Sequence, residues 1–181
     1  MKKIILIIIS IFLLPACSLS NTPKSKVEAY LNQYNNLSEN VKLDLESKVA
    51  SENLSDKNKD IYKELLIKQY KNMKYEIKNE TINADEATVS AKITVLDYFK
   101  AQKESEDYLK ENPNEFYDEN QIFSDELYNT YKLNRIGEVK DTVDYDISFN
   151  LSKVDGQWKL DNLDRTTLEK IHGFYDYTSD N

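Results

Sequence analysis

The sequence is poor in the residues that build metal sites, disulfide bonds and flexible linkers. Its 181 residues include one cysteine, one histidine, three glycines and three prolines. A single cysteine excludes an intrachain disulfide. One cysteine and one histidine are also too few to form a zinc site, and we expect no Cys-His catalytic pair. The chain also lacks a glycine-rich phosphate-binding loop. We therefore expect no cofactor and no metal, in an ordinary folded protein rather than a low-complexity chain.

Basic residues are outnumbered by acidic ones, 24 to 32, so the formal net charge is −8. Nucleic acid and anionic lipid both repel a polyanion, and we expect neither to bind the folded part directly. Aromatic residues are abundant instead, with 13 tyrosines and 6 phenylalanines. We expect these rings to fill much of the core of a single domain, which is what the length suits.

The first seventeen residues have the organisation of an export signal. Lys2 and Lys3 precede the apolar run Ile4–Leu14, which is shorter than the about 20 apolar residues needed to span a bilayer. The stretch Leu14-Pro15-Ala16-Cys17 resembles the lipobox of bacterial lipoproteins. The resemblance implies cleavage before Cys17, a diacylglyceryl thioether on its sulfur, and a fatty acid such as palmitate on its freed amine. It places the protein on the extracytoplasmic face of a cell membrane, with the membrane as a partner through the anchor.

Two alternatives for this region are an ordinary cleaved signal with an incidental cysteine and a buried apolar helix. Lipidation accounts better for a lone thiol on an exported protein, and two acyl chains hold a protein firmly. The predicted organisation is a signal peptide over 1–16, a lipidated tether over 17–22, one α+β domain over 23–175, and a disordered tail over 176–181. Loss of the two leader lysines brings the formal charge to −10.

Helices are predicted at the start of the domain. Thr22 can cap the first helix and Pro23 suits its first turn, and apolar residues recur at helical spacing through Val49 with a break near 35–36. Ser55 is placed to cap a second helix. Two sequence-local hairpins follow later in the chain.

The strands of these hairpins show a period of two. Met73–Ile77 and Val89–Val95 alternate apolar and polar residues, and so does Val143–Leu151. Asp155-Gly156 is a strong turn signal, and Trp158 continues the inward face of the return strand. A short closing helix, capped by a threonine at 166 or 167, ends at Gly173.

The segment 98–138 lies between the hairpins and is predicted to be a helical insertion that the sheet does not require. We favour a lid, in which its aromatic rings seal the open end of the sheet. The alternative is a contact surface for a binding partner, because binding sites often lie in segments that the pairing of the strands does not require. A lid buries all of the rings, whereas a contact surface exposes some of them in a cluster. The diagnostic rings are those of Tyr108, Phe116, Tyr117 and Phe123.

These patterns predict an α+β fold with N-terminal helices packed on a curved antiparallel sheet of two hairpins. The segment 153–160, Lys-Val-Asp-Gly-Gln-Trp-Lys-Leu, resembles the last hairpin of small Gram-positive-type lipoproteins with a cystatin-like or nuclear-transport-factor-two-like domain. The resemblance implies helices first and then a curved sheet. That superfamily includes enzymes, ligand binders and interaction modules, so the fold alone assigns no function.

Two places could carry chemistry. Asp97, beside Tyr98, continues the inward phase of its strand and could be an acid in a pocket, but we favour a helix N-cap for it. His172 precedes a predicted helix end, where we expect a surface or capping cation rather than a catalytic base.

The leading hypothesis is a surface-anchored accessory or binding module without enzymatic activity, whose partner is an extracytoplasmic protein or peptide. One alternative is an enzyme that uses a cone-shaped pocket of the same fold, with Asp97 as acid or base. Another is an immunity or exclusion lipoprotein that intercepts a cationic peptide, which an acidic surface would suit.

Overall fold

The computed structural model describes residues 21–180, which form six α-helices, four β-strands and two short 3₁₀ helices. The predicted signal peptide 1–16 and Cys17 lie outside these residues. The helices are α1 (Pro23–Asn35), α2 (Glu39–Ser51), α3 (Asp56–Asn72), α4 (Tyr98–Glu111), α5 (Asp125–Gly137) and α6 (Arg165–His172). The strands are β1 (Lys74–Asn83), β2 (Glu86–Leu96), β3 (Thr142–Val154) and β4 (Gln157–Leu160). The predicted α+β class, with helices on an antiparallel sheet, is confirmed.

The helix starts follow from capping residues. The Thr22 side chain accepts a hydrogen bond from the Ser25 amide, and Ser25 bonds back to the Thr22 amide, which is a capping box. The hydroxyls of Ser38 and Ser55 accept from the backbone amides of Val41 and Asn58 and so cap α2 and α3. The break between α1 and α2 lies where Leu37 adopts a φ of 48°. The predicted interruption near 35–36 is therefore confirmed.

The sheet is antiparallel throughout, in the order β1-β2-β3-β4. β2 and β3 form its longest pair, with Glu86 opposite Ser152 at one end and Leu96 opposite Thr142 at the other. The insertion joins these two central strands. β1–β2 and β3–β4 are the predicted hairpins, and the Asp-Gly turn of the second has positive φ at both residues.

Helices cover one face of this sheet and enclose the core. α1 packs on β1, β2 and β4, and the ring centroids of Tyr30 and Phe149 lie 6.3 Å apart. Trp158 is buried, as its inward phase predicts. Burial in the sheet follows the predicted alternation, and the buried residues include Val89, Ala91, Ile93, Val95, Tyr145, Ile147, Phe149 and Leu151.

A buried amide fixes α3, β2 and α6 together. Gln69 is fully buried; its Nε2 donates to the Leu96 carbonyl at 2.9 Å, and the Leu96 amide donates to its Oε1 at 2.8 Å. Gly173 ends α6 with a φ of 80°, as the sequence predicts for a helix C-cap. A Cβ at Gly173 would lie 1.9 Å from Gln69 Nε2. The left-handed turn and the close approach therefore both require glycine.

The insertion packs mainly on helices. α4 and α5 contact each other, and α5 lies along α3. Asn58, near the start of α3, accepts from the Thr130 hydroxyl at 2.9 Å, and Lys68, near its end, donates to the Gly137 carbonyl at 2.7 Å. α5 therefore runs in the same direction as α3. The interpretation of the insertion as a lid on the sheet is wrong, because its apolar face is used against α3.

Three further boundary predictions need correction. Asn21, assigned to the tether, is bonded into the domain. The tail from 176 is not wholly disordered, since Tyr177–Asp180 form a 3₁₀ helix. The Tyr177 ring lies edge-on to Phe99 at 5.0 Å. Asp164, rather than a threonine, caps α6. Among residues 21–180, no helix is both long enough and apolar enough to cross a bilayer.

Candidate functional site

The insertion has an aromatic cluster of its own. Phe116 is 4 % exposed and lies edge-on to Tyr128 and Tyr131, with ring centroids 5.4 Å away in both cases. Tyr108 stacks on Tyr131 at 5.0 Å. These rings join α4, α5 and the short 3₁₀ helix Pro113–Phe116 into one unit. The cluster gives the end of the insertion a fixed shape.

A tight loop closes over this cluster. Tyr117 and Phe123 form an isolated antiparallel bridge, and the Asp118 amide donates to the Ile122 carbonyl at 2.8 Å. The Asp118 carboxylate accepts from the amides of Ile122 and Asn120 at 2.9 and 2.8 Å. These hydrogen bonds, that of Ile122 first, hold the pKa of Asp118 below its ordinary value. The loop is therefore ordered by its own backbone contacts.

Four apolar side chains are exposed on and beside this loop, and we call them the tip patch. Ile122 is 63 % exposed and Leu127 is 47 % exposed. A single exposed aliphatic side chain is common on protein surfaces and indicates nothing by itself. Here two exposed rings accompany them, with centroids 6.1 Å apart. The tip patch consists of Tyr117, Ile122, Phe123 and Leu127.

The four diagnostic rings of the insertion differ in their solvent exposure. Phe116 is buried and Tyr108 is half-buried, whereas Tyr117 and Phe123 are exposed and adjacent. Burial of all four would have excluded a contact surface on this segment, and that result is not found. Neither Ile122 nor Leu127 was identified from the sequence as an exposed residue. The buried residues of α5 are Leu133 and Ile136, and both lie in its C-terminal half.

The tip patch lies in a strongly acidic part of the chain. Residues 111–131 include six carboxylates and no lysine or arginine. The formal charge of this stretch is therefore −6. Lys110 and Lys132 flank it, and the Lys132 ammonium lies 5.4 Å from the centroid of the Tyr128 ring. This run of acidic residues is visible in the sequence, and it surrounds the apolar side chains of the tip patch with carboxylates. The acidic residues are Glu111, Glu115, Asp118, Glu119, Asp125 and Glu126.

Asp97 and Tyr98 do not share a pocket. The Asp97 carboxylate accepts from the Lys100 amide at 3.0 Å and from the Tyr177 hydroxyl at 3.1 Å, so the favoured N-cap of α4 is confirmed. Tyr98 is fully buried, and its hydroxyl donates to the Leu65 carbonyl at 3.0 Å. Burial raises its pKa above the ordinary value. The pairing of these two residues in a pocket is wrong because their side chains serve different contacts.

Asp97 does border an open cleft of about 410 Å³ between α4 and the end of α5. Lys100, Arg135 and Asp141 line it with charges of both signs, and Lys100 pairs with Asp141 at 3.1 Å. Within the part of the chain that the structure describes, no group of three or more His, Cys, Asp or Glu residues is placed to hold a metal ion.

His172 is half-buried between α6, α2 and α3. Its Nδ1 lies 3.1 Å from the Tyr70 hydroxyl. Burial, assisted by the charge of Lys48, lowers the pKa of the imidazole to about 3. The ring is therefore neutral near pH 7, so it does not supply the positive charge that the end of α6 would favour. It borders a groove of about 430 Å³ that also includes Asp44 and Glu169.

No protein-family model matches the chain, and no curated protein matches it. Among solved structures, the chain is similar to ycdA of Bacillus subtilis, a protein described as a "putative lipoprotein". The match has 17 % sequence identity and a TM-score of 0.44, and it covers 82 % of this chain and 47 % of that chain. The chain thus spans about half the length of the solved protein. A likeness of this strength assigns neither a family nor an activity, and the cystatin-like fold stays a prediction.

Proposed function

We propose that the protein is a non-enzymatic binding module, lipidated on Cys17 and anchored to the extracytoplasmic face of a cell membrane, that captures a protein or peptide through the tip patch. The observation that carries the binding role is the set of four exposed apolar side chains on one ordered loop and on the first turn of the helix that follows it. Monomeric domains seldom expose grouped aromatic and aliphatic side chains without a partner. The anchoring rests on the sequence from Leu14 to Cys17.

The partner's chemistry follows from the charge of the insertion. Apolar side chains set among carboxylates complement a surface that combines apolar side chains with lysine or arginine. Electrostatic attraction would speed the encounter, and the apolar contact would supply most of the lasting affinity. A cationic amphipathic peptide, as in the immunity hypothesis, is one partner of this kind. An acidic partner would be repelled.

A titration with designed peptides tests the binding role. We expect a helical peptide of lysine and leucine to bind the soluble domain, and a matched peptide of glutamate and leucine not to bind. The variant with Ile122→Ser and Phe123→Ser should bind about tenfold more weakly, as expected when central apolar contacts are lost. Leu43 supplies the control, since it is 68 % exposed on α2, away from the tip patch.

Leu43→Ser should leave the affinity unchanged. Equal weakening by Leu43→Ser and by the tip variant would show non-specific adsorption and contradict the proposal. So would equal binding of the acidic and basic peptides. Anchoring is tested separately by growth with a fatty-acid probe. The wild type should be labelled and Cys17→Ala should not, and equal labelling of the two would exclude lipid on Cys17.

A further inference from the structure

The chain enters the domain through a specific contact at one end of the sheet. Asn21 Nδ2 donates to the Gly156 carbonyl at 2.9 Å, and Asn21 Oδ1 accepts from the Trp158 amide at 3.1 Å. The Lys24 amide then donates to the Glu80 carboxylate of β1 at 2.7 Å. Because Trp158 is buried in the core, Asn21 is tied to a rigid part of the fold.

This end of the sheet carries both hairpin turns, and we call it the hairpin end. The turns are Ala84–Asp85 and Asp155–Gly156, and they are joined by a hydrogen bond from the Lys153 amide to the Asp85 carbonyl at 2.7 Å. Two exposed aliphatic residues lie here. Ile82 is 52 % exposed near the end of β1, and Val154 is 41 % exposed at the end of β3.

The insertion leaves from the opposite end. β2 has 11 residues and therefore separates Glu86 from Leu96 by about 33 Å. From Leu96 the contacts continue outward along α3. Gln69 bonds to Leu96, Leu65 accepts from Tyr98 in α4, and Asn58 donates to the Glu126 carbonyl at 3.4 Å beside the tip patch. The tip patch and the hairpin end thus lie at opposite ends of the domain.

The tether between the anchor and the domain is short. Only Ser18, Leu19 and Ser20 separate Cys17 from Asn21, which is four backbone steps. Four extended residues reach at most about 14 Å, less than half the length of β2. The hairpin end must therefore stay close to the lipid surface wherever Cys17 is lipidated.

We propose that the hairpin end rests on the lipid surface, with Ile82 and Val154 at the level of the headgroups, and that the tip patch is held away from the membrane. This inference rests on the proposed lipidation of Cys17. It adds a direct contact to the one made by the anchor, so it revises the expectation that the anchor alone meets the membrane.

Quenching in lipid vesicles tests this orientation. Full-length lipidated protein, purified from membranes, is reconstituted into vesicles of phosphatidylcholine and phosphatidylglycerol that carry a nitroxide on a fraction of the headgroups. Ile82→Cys and Ile122→Cys form a matched pair of exposed isoleucines, and each provides the only thiol because the sulfur of Cys17 is alkylated. A fluorophore on residue 82 should be quenched severalfold more than one on residue 122. Val154→Cys should behave like Ile82→Cys.

Equal quenching at residues 82 and 122, or stronger quenching at 122, would overturn the orientation while leaving the anchor intact. Sedimentation of the same vesicles separates this result from failure of the anchor. Protein that stays in the supernatant would overturn the anchoring and the orientation with it.

Discussion

At the scale of single residues, the neighbours of a residue in the sequence do not always predict the role of its side chain. His172 stands at a helix end, where a cation would be favoured, yet burial beside Tyr70 keeps it neutral. Local sequence cannot reveal this, because the desolvation comes from α2 and α3, far away in the chain.

The partial burial of the His172 imidazole makes the stability of the fold depend on pH. The folded pKa of His172 is lowered to about 3, while the unfolded value is about 6.5. Below the unfolded pKa, the unfolded state binds the proton and the folded state does not, so stability falls as the pH falls from about 6.5 toward the folded value. Between about pH 7.5 and 5.5 we expect a loss of about 1.4 kcal/mol from this group. Urea unfolding at the two pH values measures it.

The control is His172→Gln, which cannot titrate. Its free energy of unfolding should change less than that of the wild type over the same interval, because carboxylates in the unfolded chain hold few protons above about pH 5. Parallel pH profiles for the wild type and His172→Gln would show that the imidazole is not buried and neutral.

Two glycines with similar backbone angles should differ in their tolerance of alanine. Gly173 and Gly156 have φ values of 80° and 75°, so alanine is strained at both, by about 1–2 kcal/mol. Only at Gly173 would a Cβ also meet Gln69 and the Leu96 carbonyl, whereas at Gly156 nothing lies within 4 Å. Gly173→Ala should therefore lower the free energy of unfolding more than Gly156→Ala. If denaturant titrations gave equal losses of unfolding free energy for the two variants, a tight contact among α3, β2 and α6 would be contradicted.

At the scale of elements, regular patterns predicted the fold well. Period-two alternation located β2 and β3, and the Asp155-Gly156 pair located the second hairpin turn, because each signal is contained in the element itself. The helix starts at Thr22 and Ser55 were predicted for the same reason. The lid interpretation of 98–138 was wrong because the choice between a sheet face and a helix face depends on packing that no local pattern records.

The candidate site was only partly predictable. The sequence pointed to the insertion and to its rings, and two of the four diagnostic rings, those of Tyr117 and Phe123, are exposed. It did not separate them from Phe116, which is adjacent in sequence but turned inward. Nor did it show that Ile122 is exposed on the loop closed by Asp118, because that exposure follows from hydrogen bonds within the loop.

We expect the aromatic cluster of the insertion to unfold independently of the sheet. Phe116→Ala removes the ring that contacts Tyr108, Tyr128 and Tyr131, and we expect faster amide exchange within 98–138 with little change in β2 and β3. Trp158→Ala provides the contrast, since a cavity in the main core should cost about 3–5 kcal/mol and accelerate exchange throughout. Uniform acceleration in Phe116→Ala would contradict a separate cluster.

At the scale of the whole molecule, the ends of the domain have different tasks in our account. The hairpin end holds the chain that leads from Cys17, and the insertion presents apolar side chains among carboxylates at the other end. The helices α1 and α3 and the long pair β2–β3 separate the two. Such a division suits the proposed module, which is fixed to a membrane and reaches outward to a basic partner.

The central claim is that the tip patch is the binding surface, and backbone amide exchange tests it most directly. The membrane-anchored protein is compared with and without the lysine–leucine peptide. Our account predicts slower exchange confined to residues 117–127 and their neighbours in α4, and no slowing in the variant with Ile122→Ser and Phe123→Ser. Slowing at the groove beside His172 or at the cleft beside Asp97, with none at 117–127, would contradict it.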